Sequence, residues 1–318
     1  MLKTKESNVP LLDTLETTSD CFITKSHESQ YYNALRKKQT IARLKRLVDV
    51  SKPSQQKKYW KAWHCQNILL QDGNNLIGSL CRKRWCHTCE RIKTAELINS
   101  WHKPLVELQE KGDLFYVTLT APTVEKRKLH SELKKRYKAF VRVKDNMRKN
   151  YGIKLVGIRS TEITLSKGKY HPHFHLIQQG KREAELFLKL WLEQFPRADI
   201  KAQDILPIDP KDPKRLKEFF KYSVKQDVKD SVEAIATDTI YQALDSKRTF
   251  QAYGKLTRVK PTREAISNET KADFLPTQQD IWKFNPNKWD YTNSRYQEMI
   301  KTKEIFKALD KKERLLDV

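Results

Sequence analysis

The run His171-Pro172-His173-Phe174-His175-Leu176-Ile177 decides how this chain is read. Successive side chains of a strand point to opposite faces, so His173 and His175 share one face while Phe174 and Leu176 point into a core. Three of the eight histidines fall within these positions. Two imidazoles on one face form a bidentate grip on a metal, which a merely solvated polar strand does not need. His171, just before Pro172, stands at the strand entrance. The third ligand is expected from the preceding strand, where Glu162 lies in Arg159-Ser160-Thr161-Glu162-Ile163-Thr164. A turn that sets Glu162 opposite His173 or His175 puts its carboxylate on their face, and a one-residue slip aims it away. Two histidines and a carboxylate with open positions suit Mg2+ or Mn2+ acting on phosphate oxygens, with Zn2+ chemistry as the alternative.

Outward from this run, residues 153–166 and 173–178 read as two strands joined by a short turn through Gly168. Residues 114–120 read as another strand by alternation and β-branched content. Residues 129–150 form an amphipathic helix with a core face of Leu129, Leu133, Tyr137, Phe140 and Met147. Residues 123–150 hold 11 Lys/Arg against 3 Asp/Glu, so the outer face of that helix is strongly positive, and Lys134, Lys135 and Arg136 are expected to touch DNA. Further helices are expected over 181–195, around Trp191, and over 214–227. The order strand, helix, strand, strand, helix fits an α+β fold: an antiparallel sheet with helices on one face.

Ahead of the sheet, residues 1–30 read as a flexible arm holding a lone Cys21. Residues 31–110 read as a basic helical region with two helical stretches, 32–60 and 92–110. Between the stretches lie Cys65, Cys81, Cys86 and Cys89, the last two as a Cys-x2-Cys pair. Four clustered thiolates suit a closed tetrahedral Zn2+ site that holds the fold and does no chemistry. His64 or His87 could replace one cysteine. An iron–sulfur cluster and four separately buried thiols are the weaker alternatives. Arg82, Lys83, Arg84 and Arg91 would be displayed beside the metal for phosphate contact.

Sixty-three Lys and Arg against 39 Asp and Glu leave a net charge of +24 over 318 residues, which points to a polyanion, first of all nucleic acid. Twelve Tyr, 12 Phe and 7 Trp argue against wholesale disorder. No apolar h-region opens the chain and no apolar run is long enough to span a bilayer, so a cytoplasmic protein with no membrane partner is expected.

Lys217-Glu218-Phe219-Phe220-Lys221-Tyr222-Ser223-Val224-Lys225 has helical spacing. Glu218, Tyr222 and Lys225 at i, i+4 and i+7 share one face. A phenol can attack phosphorus when a neighbouring cation or a metal assists it, and a carboxylate one turn away can activate water. Such spacing is common on solvated helix faces, and alone it says little.

Taken in order, these motifs resemble those of the rolling-circle replication initiators of small plasmids, within the HUH endonucleases, in the group with a cysteine cluster before the nuclease sheet. Cys81-Arg82-Lys83-Arg84-Trp85-Cys86-His87-Thr88-Cys89 is similar to the cysteine block, which often has Pro where His87 stands. Phe115-Tyr116-Val117-Thr118-Leu119-Thr120 is similar to the first strand motif. Glu162-Ile163-Thr164 with His171-Pro172-His173-Phe174-His175 resembles the metal block, and Lys221-Tyr222-Ser223-Val224-Lys225 the tyrosine block. The segment 243–248 with Gly254 is a weaker match. The resemblance covers about residues 60–256.

The resemblance implies a ferredoxin-like nuclease domain over 111–256. It implies that Tyr222 attacks a phosphodiester in exposed single-stranded DNA at an origin, forming a 5′-phosphotyrosyl link and leaving a 3′-OH. Glu218 would activate water for termination, and Lys225 would partner the phosphate or phenolate. The partners would be duplex origin DNA with its nick site exposed, and host helicase and polymerase. Rival readings are a transposase or mobilisation relaxase of the same superfamily, or a non-catalytic zinc-containing DNA-binding regulator. Residues 257–318 form an extension outside the match, whose Trp282, Phe284, Trp289, Tyr291 and Tyr296 are expected to pack against the main domain.

Overall fold

A computed structural model describes residues 17–18, 21–25, 28–72, 75–220, 228–259, 280–285, 287–288 and 290–294. In chain order these form β1 (Thr17–Thr18), β2 (Cys21–Lys25), α1 (Glu28–Val50), α2 (Pro53–Trp60), β3 (Ile68–Asp72), β4 (Asn75–Ser79) and α3 (His87–Gln109). Then come β5 (Leu114–Leu119), α4 (Leu129–Tyr151), β6 (Gly157–Ser166), β7 (Lys169–Gln179), α5 (Lys181–Gln194) and β8 (Asp204–Pro207). The order closes with α6 (Pro213–Phe220), α7 (Ser231–Ala243), β9 (Phe250–Tyr253), β10 (Asp280–Asn285) and β11 (Asp290–Ser294). Among the described residues no helix is long and apolar enough to cross a membrane.

The chain divides into two units. The first comprises Met1–Lys38, His64–Cys81 and Thr262–Val318. Its sheet is antiparallel with the order β1-β2-β4-β3-β10-β11. Thr17–Thr18 and Cys21–Lys25, expected within a flexible arm, are strands: β2 pairs with β4 from Cys21↔Ser79 to Lys25↔Asn75. Trp282, Phe284 and Tyr291 pack with Ala34 and Leu69 of this same unit, and the Tyr291 hydroxyl donates to the Gln66 carbonyl at 2.6 Å. The pairing of β10 with β3 carries Trp282 and Phe284 into this sheet. Trp289 and Tyr296 lie outside the described residues.

The second unit comprises Gln39–Trp63 and Arg82–Pro261. Its antiparallel sheet has the order β8-β5-β7-β6-β9. Phe115, Val117 and Leu119 of β5 and Phe174 and Leu176 of β7 form one core with Phe140, Val143 and Met147 of α4 and Phe187, Leu190 and Trp191 of α5. The opposite face carries a second core, where Leu114, Ile158 and Ile177 meet Leu105 and Leu108 of α3 and Leu216, Phe219 and Phe220 of α6. Helices thus cover both faces, not the single face expected. The reason lies in β5, β6 and β7, which present apolar side chains alternately to both sides and need cover on both.

The β6–β7 hairpin sets the site. Its two loop residues have positive φ, Lys167 at 48° and Gly168 at 74°. This is the primed two-residue turn whose twist matches paired strands, and glycine adopts it without steric cost. The turn fixes the ladder from Ser166↔Lys169 to Gly157↔Gln178, so Glu162 stands directly opposite His173. Pro172, which has no N–H to offer, is tolerated because β5 pairs with β7 only as far as Leu119↔Phe174.

Candidate metal centre and active site

Alternation along β7 puts Phe174 and Leu176 into the α4/α5 core, so His173 and His175 emerge on the α3/α6 side. Glu162 Oε2 lies 3.1 Å from His173 Nε2 and 3.0 Å from His175 Nε2. The outer ring nitrogens are also engaged. His173 Nδ1 is 3.0 Å from the His171 carbonyl, and His175 Nδ1 is 3.3 Å from Thr118 Oγ1. A carbonyl can only accept, so His173 carries its proton on Nδ1. Thr118 Oγ1 can accept from His175 Nδ1–H in the same way, which turns both Nε2 atoms toward a carboxylate oxygen. A cluster this close is held by positive charge, either protons on the rings, which then donate to Glu162, or a metal ion in their place. Burial pushes the Glu162 carboxyl up, but hydrogen bonds to His173 and His175 and the charge on those rings together outweigh it, holding the group well below the usual carboxylate range. The ligand atoms of Glu162, His173 and His175 lie within 4.8 Å of one another, and the Glu162 side chain is 30 % exposed, leaving a side open to substrate. The donor set fits a divalent metal with free positions, each imidazole being oriented through its other nitrogen.

Beyond the triad stands Tyr116, whose ring centroid lies 5.2 Å from that of His175 and 6.1 Å from that of Phe219 on α6. Burial pushes the Tyr116 phenol well above its usual range, and the negative charges of Glu162, Glu218 and Asp204 push it the same way. Glu218, on the exposed side of α6, therefore shares an electrostatic neighbourhood with the triad. Tyr222 and Lys225 lie outside the described residues. Thr118 and Tyr116 were not anticipated, although alternation from Phe115, Val117 and Leu119 places both on the histidine face.

Cys65 precedes β3, Cys81 follows β4, Cys86 caps the N-terminus of α3 and Cys89 lies in its first turn. Cys65 and Cys81 belong to the first unit and Cys86 and Cys89 to the second, and within each pair the sulfur atoms lie within 4.8 Å. The backbone N–H of Cys81 points to Cys65 Sγ at 3.5 Å and that of Arg82 to Cys89 Sγ at 3.2 Å, contacts that favour thiolates. The set could hold a zinc ion. Neither histidine is part of it: His87 has Nε2 2.6 Å from Arg43 Nη2 and Nδ1 3.4 Å from Thr40 Oγ1, and His64 Nδ1 lies 3.4 Å from Asn67 Nδ2.

Two of the residues expected to touch DNA are otherwise employed. Arg136 is 1 % exposed and donates to the Pro122 carbonyl at 2.6 Å, since it falls on the core side of α4. Arg84 donates to the carbonyls of Leu244 and Lys247 at 2.9 and 2.7 Å, where α7 ends. Its guanidinium ties down the turn that follows α7 instead of meeting phosphate. Arg91 is half-buried, while Arg82, Lys134 and Lys135 are exposed and Lys83 is partly so.

An antiparallel α/β unit with a carboxylate–histidine metal grip and a four-cysteine cluster ahead of it defines a class of metal-using proteins. The replication protein family Rep_1 matches residues 76–301, most of the chain, and the protein belongs to that family. It is also 28 % identical over 160 residues to the protein named "Protein rep" of Staphylococcus aureus, covering 46 % of this chain and 69 % of that one. No solved structure matches the chain.

Proposed function

We propose that this protein starts rolling-circle replication of a plasmid by nicking and joining origin DNA. The observation that carries the reading is the convergence of Glu162, His173 and His175 beside Glu218 and Tyr116 in a replication protein. The connection order β5-α4-β6-β7-α5-β8, with sheet order β8-β5-β7-β6, supports a ferredoxin-like nuclease domain over about residues 111–256. Glu162, His173 and His175 would hold Mg2+ or Mn2+, which when bound would supply positive charge against the scissile phosphate. Tyr222 gives up its phenolic proton, attacks phosphorus and forms a 5′-phosphotyrosyl link, while the displaced oxygen leaves as a 3′-OH. Lys225 stabilises the phenolate. In termination Glu218 takes a proton from the water that cleaves the phosphotyrosyl bond, freeing the tyrosine and a 5′-phosphate. Zn2+ on Cys65, Cys81, Cys86 and Cys89 holds the region ahead of the nuclease. The setting is cytoplasmic, with helicase and polymerase acting on the opened origin.

The test is a denaturing gel of protein incubated with Mn2+ and an origin oligonucleotide. Wild type should give a covalent adduct, Tyr222→Phe none, and Glu218→Ala an adduct that accumulates. An adduct with Tyr222→Phe would overturn the assignment.

A further inference from the structure

We propose that the outer face of α4 is a second DNA site, gripping duplex by its phosphates on the side of the sheet away from the metal ligands. The proposal takes the partner's class from the function proposed above, and everything else from α4 itself. Lys128, Lys135, Arg142 and Lys149 recur every seventh residue, and all four are exposed. Lys134 and Lys138 stand exposed between them. Seven residues is nearly two turns, so the four cations form a slowly winding row, about 31 Å long at 1.5 Å per residue. Three acids lie near the row: Glu125 pairs with Arg127 at 3.0 Å, Asp145 pairs with Arg148 at 3.4 Å, and Glu132 in the first turn of α4 acts on Arg136.

The opposite side of α4 is anchored. Leu129, Leu133, Phe140, Val143 and Met147 are all buried. Phe140 and Val143 share a core with Phe174 and Leu176, the residues that alternate with His173 and His175. The cation row and the metal triad are therefore separated by α4 and by the thickness of the sheet. DNA lying on the row is not the strand being cut.

The chemistry of the row favours duplex over single strand. Single-strand grooves combine positive charge with aromatic side chains on which bases stack. Here the one exposed Phe, Tyr or Trp between 128 and 151 is Tyr151, at the C-terminal end of α4, and no such ring stands between the cations from Lys128 to Lys149 on the exposed face. A duplex presents about one phosphate per 1.7 Å of axis, so a straight row of about 31 Å meets a backbone dense enough to pair every cation. The structure thus divides the work. Duplex flanking the origin is held on one face, and the exposed strand enters the other.

The experiment measures binding in the absence of divalent metal, so no cleavage is involved. The probes are a fluorescent duplex of about 20 base pairs and a single strand of the same length. The quadruple variant Lys128→Gln, Lys135→Gln, Arg142→Gln and Lys149→Gln keeps good helix formers at exposed positions. The control neutralises four exposed lysines elsewhere: Lys111, Lys201, Lys211 and Lys255, each to Gln. The row variant should bind duplex at least about tenfold more weakly at moderate salt, with a slope of log affinity against log salt shallower by about 3–4. Its single-strand affinity and melting temperature should stay near wild type, and the control should keep its duplex affinity. Duplex binding as tight as wild type overturns the proposal. So does an equal loss on single strand. Since nothing here depends on the phosphotyrosyl adduct, failure of the adduct assay leaves this result standing, and the reverse holds too.

Discussion

The two faces of the second unit's sheet are built from the same strands to opposite ends. Toward α4 and α5, Phe174 and Leu176 are fully buried against Phe140, Phe187 and Trp191. Even cations are sealed in there: Arg136 is 1 % exposed, and the Arg159 guanidinium lies 4.4 Å from the Tyr137 ring centroid and 5.0 Å from that of Phe174. Toward α3 and α6 the apolar cover reaches Ile177, Phe219 and Phe220, and beyond Tyr116 gives way to polar side chains. There His173, His175 and Glu162 remain partly open. A period of two lets a single strand spend every other residue on stability and the rest on chemistry, so mutations on β7 should separate cleanly by parity.

The largest effect should come from the closed face. Phe174→Ala leaves a cavity among large rings and should cost about 3–5 kcal/mol in urea unfolding. One position on, His175→Ala should change unfolding little but lower divalent-metal affinity by more than about 100-fold in calorimetry, since losing a ligand exceeds losing its support. An equal loss of stability in the two variants would break the parity. Thr118→Val removes the partner of His175 Nδ1 while keeping shape, and should weaken metal binding by about 10–100-fold with the fold unchanged. Smallest, Gly168→Ala strains the left-handed turn that sets the register, for about 1–2 kcal/mol of unfolding free energy.

Much of the second unit was legible because its signals are local. The hairpin needs only Gly168 and the alternation on either side of it, and that is enough to bring Glu162 opposite His173. Arg136 could have been excluded from DNA contact on the same terms: Leu129, Leu133, Arg136, Phe140, Val143 and Met147 repeat at helical spacing, and the core face takes all six. The first unit hid its sheet because its pairings are distant, Leu69 lying opposite Trp282. A nearby cue existed, since Asp72-Gly73-Asn74-Asn75 between two apolar runs is a hairpin signal. Arg84 is different again. Its carbonyl partners at Leu244 and Lys247 lie far along the chain, and spacing offers no hint of them.

The central claim is that Glu162, His173 and His175 hold one divalent metal. Electron paramagnetic resonance of Mn2+ titrated into the full chain tests it directly, read against His173→Ala. The account predicts one tightly held Mn2+ per wild-type chain, with nitrogen coupling from histidine, and none at that site in the variant. Equal Mn2+ binding by the two proteins, or a bound ion without nitrogen coupling, would contradict it.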